Sequence, residues 1–332
     1  MSGRFVPPEK EEGAALLTVL LIVAVVGAIA AAALDRMRLA TGLSANFAAL
    51  EQARGISTGI EDLVLLTIDD MTARSPERTT LAGGWNGAKR RYPVPGGGVA
   101  QASIRDGGNC FNLNSLVAGG GSSPAAARQA GMTQFAGLMG VLGVAPGEAQ
   151  RIAAAAADWA DSDEVPLPAG AEDGHYLRLP RPYRTGNTLF ADTSELRAVA
   201  GVTDEIYARL KPWICALPVA ELSAINVNTL APEQAPLLAM LAPQQLPVET
   251  ARRVIAGRPG RGWANMLEFW RTEALSEIDV PLDVQLQVQS RTVWFALDIE
   301  AQVRGAELSE TALIDARLQP ARLAMRRFGA GE

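Results

Sequence analysis

The sequence predicts an α+β protein in which one long N-terminal helix lies on an antiparallel sheet and a large all-α domain interrupts the sheet. Three features carry that prediction. They are an uncharged apolar run near the N-terminus, period-two alternation near the C-terminus, and an Ala-rich block with helix-start signals between the two. At 332 residues the chain is long enough for two ordinary cores.

The first element is the run from Ala14 to Leu34, 21 residues without a formal charge. At ~1.5 Å per residue it reaches roughly 31 Å as a helix, the thickness of a bilayer core. Two readings of this segment stand side by side. In one it is a secretory signal cut near Ala30 to Ala33. In the other a prepilin-type leader is removed after Gly13 and the run survives as an anchor beginning at Ala14. The flank Glu9, Lys10, Glu11 and Glu12 is acidic for a signal peptide, and the run is long for one, which favours the leader. No proline occurs between Pro8 and Pro76, and Leu39, Leu43, Phe47 and Leu50 share one helix face. One helix from Ala14 to about Thr72 is therefore expected, its first half in lipid and its second half presenting an apolar stripe to its own sheet, to partners, or to both.

Residues 76–98 are rich in Gly, Pro and basic residues and read as loop, followed by a strand from Val99 to Ile104. Near the C-terminus Val284, Leu286 and Val288 alternate with glutamines. The alternation resumes from Val293 to Val303, turns at Gly305 and Ala306, and gives further strands over Thr311 to Leu318 and Leu323 to Phe328. Between these lies the helical block, within which FNLNSL (111–116) and INVNTL (225–230) form a weak repeat. In each, Asn before an apolar run is an N-cap signature. Asp192, Thr193, Ser194 and Glu195 mark another helix start. The boundaries read as a leader over 1–13, an N-terminal helix over 14–75 (membrane span 14–34), strands and loops over 76–113, the helical domain over 114–278, and the C-terminal strands over 279–332.

Composition narrows function. A formal charge of −6 and a pI near 5.1 argue against a dedicated nucleic-acid binder. A single histidine, His175, with two cysteines excludes multi-His and all-cysteine zinc sites, and no nucleophile accompanies that histidine. No enzyme is expected. Asp158, Asp161, Asp163, Glu164, Glu172 and Asp173 lie in a stretch, 152–177, that contains no Lys or Arg. Such a cluster is either a solvated acidic loop or a set of hard oxygen ligands suited to calcium, although its spacing is not that of an EF-hand. Cys110 and Cys215 would close a loop of about 105 residues in an oxidising compartment, a constraint of roughly 4–5 kcal/mol; two buried thiols are the alternative.

The Gly13/Ala14 junction with its apolar run, FNLNSL, DWADSD (158–163), GAED (170–173), YRTGN (183–187), INVNTL and the final strands occur in one order. Together they resemble the general secretion pathway protein K family, the largest minor pseudopilins of bacterial type II secretion. The resemblance implies a pseudopilin fold with an inserted helical domain and a single-pass inner-membrane anchor with the C-terminal domain in the periplasm. It further implies leader removal by the prepilin peptidase with methylation, and a place at the tip of the pseudopilus with minor pseudopilins I and J. It also implies calcium in the helical domain, with Asp158, Asp161, Asp163, Glu172 and Asp173 as candidate ligands. Ala14 stands at mature position one, where Phe is common in pilin-like proteins. Counting from Ala14, the fifth residue is Thr18, where pilin-like subunits carry a buried Glu that pairs with a neighbour's N-terminal amine. A chain lacking that charge has the chemistry of a cap, or Thr18 is simply a hydroxyl tolerated in a membrane helix. INVNTL also resembles the opening of helix-hairpin-helix modules, so a type IV pilus or DNA-uptake minor pilin is the alternative. The connection Ala242 to Gln245 lacks the glycine that such phosphate cradles use.

Overall fold

A computed structural model of the chain describes residues 12–120 and 123–329. Most of the expected leader, residues 1–11, lies outside the described residues. Gly13 and Ala14 fall in the first turn of helix α1, Glu12–Arg74, whose 63 residues rise about 95 Å. Every residue from Ala14 to Ala48 is exposed, and the segment qualifies by length and apolarity to cross a membrane. From Ala49 onward one face is buried: Ala49, Ala53, Ser57, Ile60, Glu61, Val64, Ile68 and Thr72. Of the stripe expected at Leu39, Leu43, Phe47 and Leu50, the first three stay more than half exposed, and only Leu50, next to the first buried residue Ala49, is half-buried.

Five antiparallel strands, β1 (Lys89–Pro93), β2 (Gly98–Asp106), β3 (Trp294–Val303), β4 (Ala306–Asp315) and β5 (Arg322–Phe328), form a sheet in sequence order. α1 packs on one face through Leu297, Ile299, Ala301, Leu308 and Ile314, with Trp85 against Phe295 at 5.4 Å between ring centroids. The β3–β4 turn is Arg304 and Gly305, both at positive φ (48° and 88°), rather than Gly305 and Ala306. Two central residues in that conformation match the twist of the flanking strands. β1 falls inside the stretch read as loop. As an edge strand with Lys89, Arg90 and Arg91 exposed it carries no apolar alternation. The strand expected over 284–288 is instead helix Leu282–Gln287, with only Val288–Gln289 extended. Pro281 opens that helix, and Val284 and Gln287 point inward at a helical spacing.

The insertion begins where β2 ends and returns where β3 starts, and these two strands are hydrogen-bonded neighbours. Its neck is narrow. Gly107 donates to the Trp294 carbonyl at 2.8 Å, and a Cβ on Gly107 would meet the Ala296 nitrogen at 2.9 Å. Asp106 is buried there. Its Oδ1 accepts from the Gly108 and Asn109 amides at 2.9 and 3.3 Å, and its Oδ2 accepts from the hydroxyls of Thr229 (2.6 Å) and Thr292. Burial raises its pKa, and these four bonds counter that rise.

Beyond the neck, helices α2 (Gln129–Val141) and α3 (Pro146–Ala160) pack around stacked Phe111 and Phe135, 4.8 Å apart. The core of this unit, expected over 114–278, draws residues from Phe111 to Val288. The block expected to be wholly helical contains a β-ribbon, Val117–Gly120 with Ser123–Ala127. The two Asn motifs repeat in geometry as well as in sequence. Asn112 and Asn226 each accept from the amide two residues on (3.2 and 2.9 Å), and each lies in a two-residue parallel strand pair. Asn114 then clamps both main-chain polar groups of Phe190 (2.6 and 3.0 Å), and Asn228 does the same to Trp263 (2.8 and 3.1 Å). These buried carboxamides supply the hydrogen bonds that a longer sheet would otherwise provide. Asp192 and Glu195 form a capping box at the 3₁₀ helix Thr193–Ala198.

Asp106→Ala leaves the Thr292 hydroxyl and two amides without their acceptor in the neck and the Thr229 hydroxyl with only the Asn226 carbonyl, at an expected cost of about 3–5 kcal/mol. Thermal unfolding of the full chain in detergent checks this, with Asp106→Asn recovering part of the loss. An unchanged midpoint would show that the neck does not limit stability.

Candidate metal centre

The acidic stretch folds into a hook at the C-terminal end of α3. Asp158 and Asp161 sit on or next to the last turn of α3, residues 162–170 loop outward, and GAED brings the chain back so that Glu172 faces Asp161. Asp161, Asp163 and Glu172 each place a carboxylate oxygen within 4.8 Å of the other two. Asp161 and Glu172 are buried, and Asp161 Oδ1 and Glu172 Oε1 have no hydrogen-bond partner among the described residues. Burial, then the negative charges of Asp163, Asp158 and Glu172, push Asp161 up to about 7; burial and Asp158 push Glu172 up to about 7. The position compounds the cost, because the end of a helix carries partial negative charge. Three converging carboxylates, two of them with an unsatisfied oxygen, fit a hard divalent cation.

The five candidate ligands divide by what holds them. Asp158 is wholly buried and braces the loop, both its oxygens accepting from the Leu167 amide at 3.2 Å, with the Ala171 amide also bonded to it. Burial raises its pKa. Asp173 is engaged outside the group. Its Oδ1 accepts from the Thr185 amide and hydroxyl, each at 3.0 Å, and Arg184 pairs with Oδ2, so the Thr185 amide above all holds its pKa down. Asp161, Asp163 and Glu172 are thus the three that could share one ion; Asp163 also accepts from the Val165 amide at 2.8 Å.

Other parts of the site were not identifiable from acidic spacing. Gly170 passes so close to Asp158 that a Cβ there would overlap the carboxylate. Ser162 donates through both its amide and its hydroxyl to the Ala125 carbonyl (3.0 and 2.9 Å), tying the hook to the β-ribbon. Thr185, from YRTGN, also reaches Glu172 Oε2 at 3.4 Å, and Tyr176 packs edge-on to Trp159 at 5.5 Å behind the acids. The ordered motifs DWADSD, GAED and YRTGN are therefore three walls of one site. The only sequence signal for the third wall was its place in that order.

The remaining sequence-singled residues lie apart. Cys110 and Cys215 are joined by a disulfide, their Cα atoms 5.8 Å apart, beside the parallel pair formed by Phe111–Asn112 and Ile214–Cys215. Thr18 spends its hydroxyl on the Ala15 carbonyl one turn back (2.8 Å). His175 is exposed, with its ring edge-on to Tyr176. In the segment that resembles a helix-hairpin-helix, Ala242 is buried and Pro243 rests on Gly137 of α2, where no Cβ would fit.

Gly170→Ala must push aside a carboxylate that two amides hold, so it is expected to cost about 1–3 kcal/mol and to open the hook. Limited proteolysis between 162 and 172 reads the second effect; wild-type resistance would refute the close packing.

Two stretches, residues 109–219 and 225–289, match the family described as Type II secretion system (T2SS), protein K. The Type II secretion system protein K of Pectobacterium carotovorum subsp. carotovorum is 32% identical over 321 residues, 96% of this chain and 97% of the relative. That of Klebsiella pneumoniae is 37% identical over 270 residues, 81% of this chain and 82% of the relative. The fold is similar to a chain in the crystal structure of the GspK-GspI-GspJ complex from the type 2 secretion system of enterotoxigenic Escherichia coli. The TM-score is 0.73 and the identity 29%, covering 85% of this chain and 97% of that one. With the pseudopilin architecture of one long apolar helix on an antiparallel sheet and a helical insertion, the chain belongs to the type II secretion system protein K family of minor pseudopilins.

Proposed function

We propose that the chain caps the tip of a periplasmic pseudopilus, together with minor pseudopilins I and J, in support of the export of folded proteins. In this reading Ala14 to Leu34 holds it in the inner membrane and the sheet and helical head stand in the periplasm. The observation that carries the reading is α1 itself, on which every residue from 14 to 48 is exposed while Leu39, Leu43 and Phe47 extend an apolar face past the membrane span. An apolar helix face of that length is stable only against lipid or other helices. Likeness to a chain of the GspK-GspI-GspJ complex supports the identity of those helices. Thr18 supports the terminal position. With its hydroxyl bonded within its own helix and no charge to offer, it cannot pair with the amine of a subunit placed above it.

Two measurements test this reading. N-terminal sequencing of the mature protein is expected to begin at Ala14, after peptidase cleavage behind Gly13; a start near Leu34 overturns the anchor. Phe47→Asp is expected to reduce co-purification of pseudopilins I and J with the full chain at least tenfold. Unchanged recovery would remove the helix face from the assembly.

Calcium is the proposed ion of the head, held by Asp161, Asp163 and Glu172 with carbonyls or water completing about 6–8 oxygens. Its role is structural: it neutralises carboxylates that otherwise repel and closes the hook. The pH dependence has a definite sign. Because the folded apo state holds Asp161 and Glu172 up to about 7, their protonated forms stabilise it fully below the ordinary carboxylate range, and that stability is lost as pH rises through about 7. Calcium needs the ionised forms, so its stabilisation grows over the same window. Calcium-dependent thermal shifts are thus expected to be larger at about pH 8 than at about pH 5.5, and to vanish in Asp161→Asn. No shift with millimolar calcium at the higher pH would refute the assignment.

A further inference from the structure

The seam between α1 and the sheet is apolar along most of its length, yet at one level it holds two glutamates and one arginine. Glu61 of α1 and Glu310 of β4 are 3% and 2% exposed, among Ile60, Val64, Leu308 and Ala312. Arg326 of β5 donates through Nε to Glu61 Oε1 at 2.8 Å and through its terminal nitrogen to Glu61 Oε2, a two-pronged pairing. It comes only to 3.4 Å from Glu310 Oε1. Ser57 Oγ donates to Glu310 Oε2 at 2.5 Å, and Glu310 Oε1 has no hydrogen-bond donor among the described residues. With both acids ionised, the cluster would carry one uncompensated negative charge in a buried seam. A proton on Glu310 removes that charge and supplies a donor that can bridge to Glu61.

We propose that Glu310 is a reversible proton-binding site that hydrogen-bonds to Glu61 across the seam, so that the grip between anchor helix and sheet follows the pH of the surrounding medium. The charged groups facing Glu310 are Glu61 on α1 and Arg326 on β5. Asp62 acts on Arg326 from the next position of α1, and β3 presents Ile299 alongside. Burial, with Glu61 adding to it, pushes the Glu310 carboxyl up to about 7. The seam is therefore tightest below the ordinary carboxylate range and loosens as pH rises through about 7. Ser57, Glu61 and Glu310 lie midway along the sheet-covered half of α1, so a change there alters how firmly the head sits on its stalk.

Carbon NMR of the full chain in detergent, labelled in its glutamate carboxyls and titrated with pH, tests the proposal. Two glutamates are expected to titrate near neutrality, and one of the two signals to disappear in Glu310→Gln. Glu172, which titrates in the same range, is identified by Glu172→Gln. In Glu61→Gln, Arg326 is released to Glu310, and the Glu310 titration is expected to drop into the ordinary carboxylate range. Of the pH dependence of the wild-type folding equilibrium constant, this site's share is expected to be up to about tenfold per pH unit between its two pKa values, and Glu310→Gln to remove that share. A near-neutral titration other than that of Glu172 that survives both Glu310→Gln and Glu61→Gln, or a wild type in which no glutamate besides Glu172 titrates near neutrality, overturns the proposal.

Discussion

The architecture depends on the closure of a neck by one buried carboxylate. Strands β2 and β3 are neighbours in the sheet, and a hairpin of a few residues would suffice to join them; here nearly two hundred residues intervene. For both parts to stay ordered, the chain must leave and return within one strand spacing, about 4.8 Å. Asp106 meets that demand by accepting from amides on the outgoing side and from the hydroxyls of Thr229 and Thr292, which belong to the insertion and to its return. Asn109 and Asn226 extend the same network, and Asn226 reaches the Thr79 carbonyl. The helical head is thereby continuous with the sheet through hydrogen bonds rather than through a broad apolar interface. Polar bonds of this kind fix orientation more strictly than apolar contact, which tolerates sliding.

α1 divides its length between two environments. Where it meets the sheet it uses Ala49, Ala53, Ser57, Ile60 and Val64, small or slender residues that let a sheet approach closely. Where nothing of its own chain covers it, from Ala14 to Ala48, every residue is exposed although the segment is predominantly apolar. A helix about 95 Å long cannot be stabilised by one small domain, which is why half of it needs surroundings from outside the chain.

Two buried acid clusters meet the cost of desolvation differently. At the seam a guanidinium satisfies one carboxylate and leaves its neighbour to a proton. In the head Arg184 is turned toward Asp173, and Asp161 and Glu172 each keep an oxygen without a hydrogen-bond partner among the described residues, at a helix end of the same sign. The seam cluster is self-contained with one proton, whereas the carboxylates of the head cluster converge as the proposed cation would require. The disulfide from Cys110 to Cys215 adds a third restraint, linking the first residues past the neck to the strand pair beneath the head.

Much of the fold was legible in the residues themselves. The anchor, the C-terminal strands, the cap at Asp192 and the Asn repeat all depend on local periodicity or on a side chain bonding its own backbone a few positions away, and such signals survive in one dimension. The errors fell where a local pattern had two solutions. VQLQVQ alternates like a strand, but Pro281 and the packing of Gln287 against Gln134 made its first part a helix. β1 had no pattern because an edge strand facing water needs none. In the candidate site, the sequence supplied the acidic types and their density without a basic residue, while only the tertiary structure decided which three converge, which one braces the loop and which one pairs with Arg184. Charge density is a property of the chain, but convergence arises from a hook that Gly170, Ser162 and Thr185 close through contacts distant in sequence. The same holds for Glu61 and Glu310, 249 positions apart: each reads as an ordinary surface acid until α1 and β4 are laid together.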